Sequence, residues 1–178
     1  MIALARSIAA AVLAFAAGEC LAQSWPDPPP NLVQATPGIY TSGQPSAKSL
    51  EGLKAQGFEA VVYLAPPTVG DAVPGEAKIV GGQGLVFVNI PIVFDNPTER
   101  DFETFVAVMK ALSGRKVLVH CQVNLRASSL TFLYRTIVGK ESPGEAGKAV
   151  EKIWTPRGPW KHLIEEQLHK HGVAFEIF

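Results

Sequence analysis

Apolar positions along the chain fall into two patterns: short unbroken runs, and longer stretches spaced at three and four residues. Runs of strand length occupy 60–64 (Ala-Val-Val-Tyr-Leu), 85–92 and 116–120. They are rich in Val and Ile and bounded by glycine, proline or polar residues, which predicts strands. A shorter strand is expected over 38–42, ahead of the turn Gly43-Gln44-Pro45. The helical spacing is clearest in Phe102, Phe105, Val106, Met109 and Leu112. Ahead of it stands Asn96-Pro97-Thr98-Glu99, which offers a capping residue, a proline at the first helical position and a glutamate at the third. Residues 127–138 are apolar on nearly every side, as in a helix buried at the centre of a molecule. Further helices are expected from an N-cap at Ser46 through Leu50 and Leu53 to a stop at Gly57, and over 74–83, where Gly81-Gly82 interrupts. Two more fit 143–154 and 159–170, the last stopped by Gly172.

Strands alternating with helices at this spacing predict an α/β domain: a mostly parallel central sheet, helices on both faces, right-handed crossovers. In such sheets ligands bind beyond the carboxyl ends of the strands. The turn from strand 116–120 into helix 127–138 lies at such an end, and its residues run from Cys121 to Arg126.

Composition adds limits. A chain of 178 residues, 47% hydrophobic and 18% charged, fits one domain. Sixteen basic side chains balance sixteen acidic ones, so no bulk charge draws nucleic acid or an anionic membrane, and any anion site must be local. Residues 1–22 read as a secretory signal peptide, with Arg6 ahead of an apolar run over 8–17 and a cleavage site after Ala22. That run is about half of the roughly 20 residues needed to cross a bilayer. No stable membrane insertion is expected, and the location is periplasmic or secreted. Four prolines between Ser24 and Pro30 make 23–31 a stiff extended linker, leaving 32–178 as the domain.

Signal cleavage removes Cys20 and leaves Cys121 as the single cysteine of the mature chain. A strand that enters a tight loop and feeds a helix points backbone N–H groups and the positive helix end into one concavity, which attracts an anion. The amides of Gln122, Val123, Asn124 and Leu125 would line it, and the same field favours a thiolate at Cys121. Arg126 can offer a planar fork of donors to two oxygens of a phosphate or similar oxyanion. Ser128 or Ser129 could donate to the sulfur when it leaves as thiolate. The loop has no glycine, so Asn124 is its best candidate for a left-handed conformation.

These residues resemble the signature of the cysteine-dependent protein tyrosine and dual-specificity phosphatases: His-Cys, five residues, then Arg and Ser or Thr. The likeness continues in Thr41-Ser42-Gly43-Gln44-Pro45-Ser46, in Gly57-Phe58, in the 60–64 strand and in Ile90-Pro91 before an acidic loop, over about residues 36–140. It implies a compact phosphatase-like domain that hydrolyses a phosphomonoester, on a protein or a small molecule, through a phosphocysteine at Cys121, with no cofactor. It implies a general acid as well, for which Asp95 is the candidate, twenty-six positions before Cys121. Glu99 and Asp101 stand behind it, and a helix-capping role for Asp95 is the competing reading. His120 would support the loop or tune the thiolate. One departure stands out. Only four residues, Gln122 to Leu125, separate Cys121 from Arg126, so the arginine arrives one place early while Ser128 keeps the signature's position.

In that spacing the loop is similar to that of the rhodaneses, sulfurtransferases with a persulfide on their cysteine. Residues 61–68 lack the Asp-Val-Arg element of that family, and His120 favours the phosphatases. A relative that binds phosphate or sulfate without turning it over is the other alternative. His162, His169 and His171 share no helical face at metal spacing and are expected on the surface, with no metal implied. Trp154 and Trp160 are expected to pack the C-terminal helices onto the body.

Overall fold

Five short strands pair into one sheet in the order β1-β2-β5-β3-β4 in the computed structural model, which describes residues 25–177. They are β1 (Val33–Thr36), β2 (Ile39–Ser42), β3 (Ala60–Tyr63), β4 (Val86–Asn89) and β5 (Val117–His120). All neighbours run parallel except β1, which lies antiparallel along β2 at the sheet edge. The pattern of apolar positions gave no sign of β1, because an edge strand needs little apolar cover and Gln34 and Thr36 interrupt it. The run over 85–92 pairs for only four residues. Beyond Asn89 the chain is carried on by Ile90 N donating to Tyr63 O at 2.8 Å and Ile92 N to Leu64 O at 3.3 Å.

Side chains alternate across a strand, and the central strands β3 and β5 are covered on both faces. Ala60, Val62, Val117 and Val119 meet Phe102, Phe105, Leu130 and Ile164 from α3 (Glu99–Ala111), α4 (Leu125–Leu133) and α6 (Pro159–Lys170). Val61 and Leu118 meet Leu50 of α1 (Ala47–Glu51), Leu53 just after it, and Val80 of α2 (Glu76–Gly82). The remaining α-helix among the described residues, α5 (Pro143–Glu151), packs against α4. The expected mostly parallel sheet with helices on both faces is what forms.

Helix ends differ from expectation in instructive ways. Ser46 caps α1, its hydroxyl accepting from Ser49 N at 3.0 Å, but the helix gives way to turns at Gly52 instead of running to Gly57. The cap of α3 is Thr98, not Asn96. Thr98 Oγ1 accepts from Asp101 N, and the Asp101 carboxylate accepts from Thr98 N at 2.8 Å, a reciprocal box that satisfies two otherwise orphaned donors. Pro97 therefore lies outside the helix. The expected 127–138 helix starts earlier, at Leu125, and loosens into a π turn over Tyr134–Val138.

The proline-rich segment is docked along its described part, residues 25–31. The ring of Trp25 packs on Phe58 at 5.4 Å, Pro30 O accepts from Gly43 N at 2.8 Å, and Ser46 Oγ donates to Asp27. Proline fixes φ in advance, so such a strap loses little entropy on docking. The expected signal peptide over 1–22 lies outside the described residues.

Candidate active site

At the end of β5 the two-residue period sends neighbouring side chains opposite ways. Cys121 is buried on the α4 side, and His120 is buried on the α2 side. The loop that follows is laid against the end of β2: Cys121 N donates to Ser42 O at 3.3 Å, Gln44 N donates to Gln122 O at 2.9 Å, and Val123 bridges Gly43. Gly43 is required by this approach, since a Cβ there would stand 2.9 Å from Gln122 O and 3.3 Å from Pro30 O.

Asn124 turns the chain. It takes φ 73°, ψ 4°, the left-handed conformation expected of it in a loop without glycine. Its buried amide donates to Asn31 O at 2.7 Å and to Thr41 Oγ1 at 3.1 Å, anchoring the turn to the strap and to β2. Helix α4 starts at the next residue, and its first-turn N–H groups, which have no intrahelical acceptor, point back toward the loop.

Arg126, only 4% exposed, is held on three sides. Its Nε donates to Ile92 O at 3.1 Å, its Cζ lies 5.1 Å from the centroid of the Phe94 ring, and Nη1 lies 3.5 Å from Gln122 Oε1. Gln122 Nε2 in turn donates to Asp71 Oδ1 at 2.8 Å. Phe94 is itself fixed from the C-terminal half: Trp160 Nε1 donates to its carbonyl at 2.8 Å, and the Trp154 and Trp160 rings lie 6.3 and 6.0 Å away. The tryptophans pack the last helices onto the body as expected, and the part of the body they meet is the segment that holds the arginine.

The two serines of α4 separate. Ser128 Oγ donates to Leu125 O at 3.2 Å, whereas the fully buried Ser129 Oγ has no partner among the described residues. Of the pair, Ser129 keeps its hydroxyl hydrogen uncommitted.

His120 stacks on Tyr63 with centroids 4.6 Å apart, and its Nε2 lies 2.6 Å from Glu76 Oε1. Glu76 opens α2 and also accepts from Gln44 Nε2 at 3.0 Å. Because Gln44 N holds the Gln122 carbonyl, His120 and Glu76 brace the loop from behind. Its ring faces away from the thiol's side of the sheet. Sequence reasoning missed Glu76 and Asp71, which are distant in the chain and carry no motif; only the parallel crossovers bring them to the loop. Burial, and then the negative charges of Glu76 and Asp71, push the Tyr63 phenol up to about 12, so it stays a neutral donor, here to Pro66 O at 3.3 Å.

Asp95 is exposed in the turn closed by Asn96 N donating to Val93 O at 3.2 Å, one residue beyond the Phe94 that covers Arg126. It is not a helix cap, since Thr98 fills that place. The two acids behind it are engaged elsewhere. Asp101 closes the capping box, and Glu99 accepts from Lys170 and Gln167, bonds that hold its carboxyl below the ordinary range. His162, His169 and His171 are exposed on and beyond α6.

Comparison with known proteins agrees with this geometry. The profile of a family described as DSP-PTPase phosphatase fused to NAD+ kinase matches residues 33–158. A search of curated proteins gives no match. Among solved structures, a candidate phosphatase of the DUF442 group from Shewanella putrefaciens CN-32 is 32% identical, with 80% of this chain and 93% of that one covered at a TM-score of 0.72. Tk-PTP in its active form is 20% identical, with 79% and 98% covered at 0.66. The core catalytic domain of the PP-IP phosphatase SIW14 from S. cerevisiae is 15% identical, with 78% and 85% covered at 0.64. The last two share the fold. The profile runs from β1 through the whole sheet and the Cys121 loop to the start of α6, and on that extent the chain belongs to the DSP-PTPase family of cysteine-dependent phosphatases.

Proposed function

We propose that the protein is an exported phosphatase that hydrolyses a phosphomonoester, carried by a protein or a small molecule, through a phosphocysteine at Cys121. The observation that carries this reading is the placement of Cys121 at a strand end, followed by a left-handed Asn124 and a helix N-terminus, with Arg126 held in the first turn of that helix. The Cys121 thiolate attacks phosphorus, the P–O ester bond breaks, and the leaving oxygen takes a proton from Asp95. The amides of Gln122, Val123, Asn124 and Leu125 and the Arg126 fork receive the three equatorial oxygens as negative charge spreads over them. Ser129, or Ser128 after turning from Leu125 O, donates to the sulfur as it departs. Water, giving its proton to the Asp95 carboxylate, attacks phosphorus and releases inorganic phosphate. The left-handed Asn124 supports the competence of the shortened loop, because it turns the chain into α4 without the missing residue.

Kinship with phosphatases favours phosphoryl over sulfur transfer. The test is hydrolysis of a series of aryl phosphates by the mature protein. Vanadate-sensitive turnover is expected; phosphate binding without turnover would leave an anion-binding protein, and cyanide-dependent consumption of thiosulfate a sulfurtransferase. In the same series Asp95→Asn slows poor leaving groups by about a hundredfold and good ones far less, the mark of a lost general acid. Equal slowing of both removes Asp95 from that role. Export rests on the Arg6, apolar and small-residue order over 1–22. N-terminal sequencing of the protein recovered outside the cytoplasm is expected to begin at Gln23; an intact Met1 on a cytoplasmic protein overturns it.

A further inference from the structure

We propose that Asp71 is a positioning residue for Arg126, acting through the side chain of Gln122. The proposal rests on the reading of Arg126 as the oxyanion-binding group. Gln122 spans the two, its Nε2 donating to Asp71 Oδ1 at 2.8 Å and its Oε1 standing 3.5 Å from Arg126 Nη1. A carboxylate only accepts and a guanidinium only donates, so one orientation of the amide serves both; a flipped amide would set acceptor against acceptor and donor against donor. Asp71 therefore decides which way Gln122 presents its oxygen.

The arginine has reason to need this. Its Nε is committed to Ile92 O and one face to Phe94, and the chain reaches it across four intervening residues. Gln122 is the contact that fixes the remaining edge. Nη2 makes no hydrogen bond among the described residues and Nη1 keeps its second hydrogen, which leaves the outer edge of the guanidinium for two ligand oxygens. Asp71 is carried by the 66–73 segment after β3: Tyr63 donates to Pro66 O at its start, Ala72 N closes a turn onto Val69 O at 3.1 Å, and the Val69 and Val73 side chains pack against the two cores on either side of Asp71. A segment anchored on both sides of Asp71 can hold its side chain in register.

The experiment measures inhibition by inorganic phosphate, with kcat and KM for p-nitrophenyl phosphate, in the wild type, Asp71→Ala, Asp71→Asn, Gln122→Ala and the double alanine variant. Asp71→Ala and Gln122→Ala each weaken phosphate binding by about threefold to tenfold, the size of one hydrogen bond, and the double variant by no more than the worse single one. Asp71→Asn restores binding to within about twofold of wild type, because its side-chain oxygen accepts the same bond from Gln122. Melting curves check that the variants at exposed Asp71 and half-buried Gln122 fold. Phosphate binding unchanged in Asp71→Ala overturns the proposal, and so does an Asn variant as weak as the alanine, which would assign the effect to the charge. A wild type that binds no phosphate overturns the reading of Arg126 and this proposal together, a result distinct from either.

Discussion

Cys121→Ser stops turnover of aryl phosphates, by on the order of 10⁴-fold or more, while inorganic phosphate still binds. The loop amides and Arg126 do not depend on the sulfur, so the anion site survives the change. The histidine next to it in the chain cannot activate a serine hydroxyl there, because His120 is turned to Glu76 on the other side of the sheet. The substitution also leaves a polar hydroxyl in a fully buried position beside Ala127 and Leu130. If it finds no partner it costs about 1–3 kcal/mol, so the melting temperature falls modestly and must be shown to lie well above the assay temperature. Steady-state rates with p-nitrophenyl phosphate, and phosphate binding by calorimetry, make the check. A serine variant within tenfold of wild type would sink the phosphocysteine route.

What the sequence disclosed was governed by range. The strands over 60–64 and 116–120 were legible because central strands of a parallel sheet are apolar on both faces, and Val61 and Val62, which go to opposite cores, leave an unbroken run. The edge strand β1, covered on one side, left no such run. Cys121, Arg126 and the left-handed Asn124 could be read because they fall within one loop, where spacing and missing glycine are local facts. The partners that make the loop a site could not. Ile92 O, Phe94 and Asp71 reach Arg126 and Gln122 only through the register of β3 with β4 and β5, and Glu76 reaches His120 by the same route. The helix cap shows a different failure: Asn96 and Thr98 are both good caps with an acid three residues on, and local spacing does not choose between them; Glu99 is drawn to Lys170 and Gln167 of α6, while Asp101 stays to close the box on Thr98.

Arg126→Lys is expected to lower kcat/KM by about a hundredfold to a thousandfold, the usual cost of one misplaced oxyanion donor. The charge is kept, but the geometry is not. Lysine cannot hold Ile92 O with one nitrogen while offering others to the ligand, cannot lie flat on Phe94, and has no planar fork for two oxygens. Its ammonium would also stand where Arg126 is 4% exposed, without the carbonyl and ring that make that burial tolerable, so a loss of stability accompanies the kinetic one. The pattern separates this variant from the serine one. Cys121→Ser binds phosphate and does not react; Arg126→Lys reacts slowly and binds phosphate weakly, with KM raised as well as kcat lowered. A lysine variant that keeps both parameters within about threefold would mean that charge alone holds the oxyanion. The contacts gathered around the guanidinium from Gln122, Ile92 and Phe94 would then serve the fold and not the ligand.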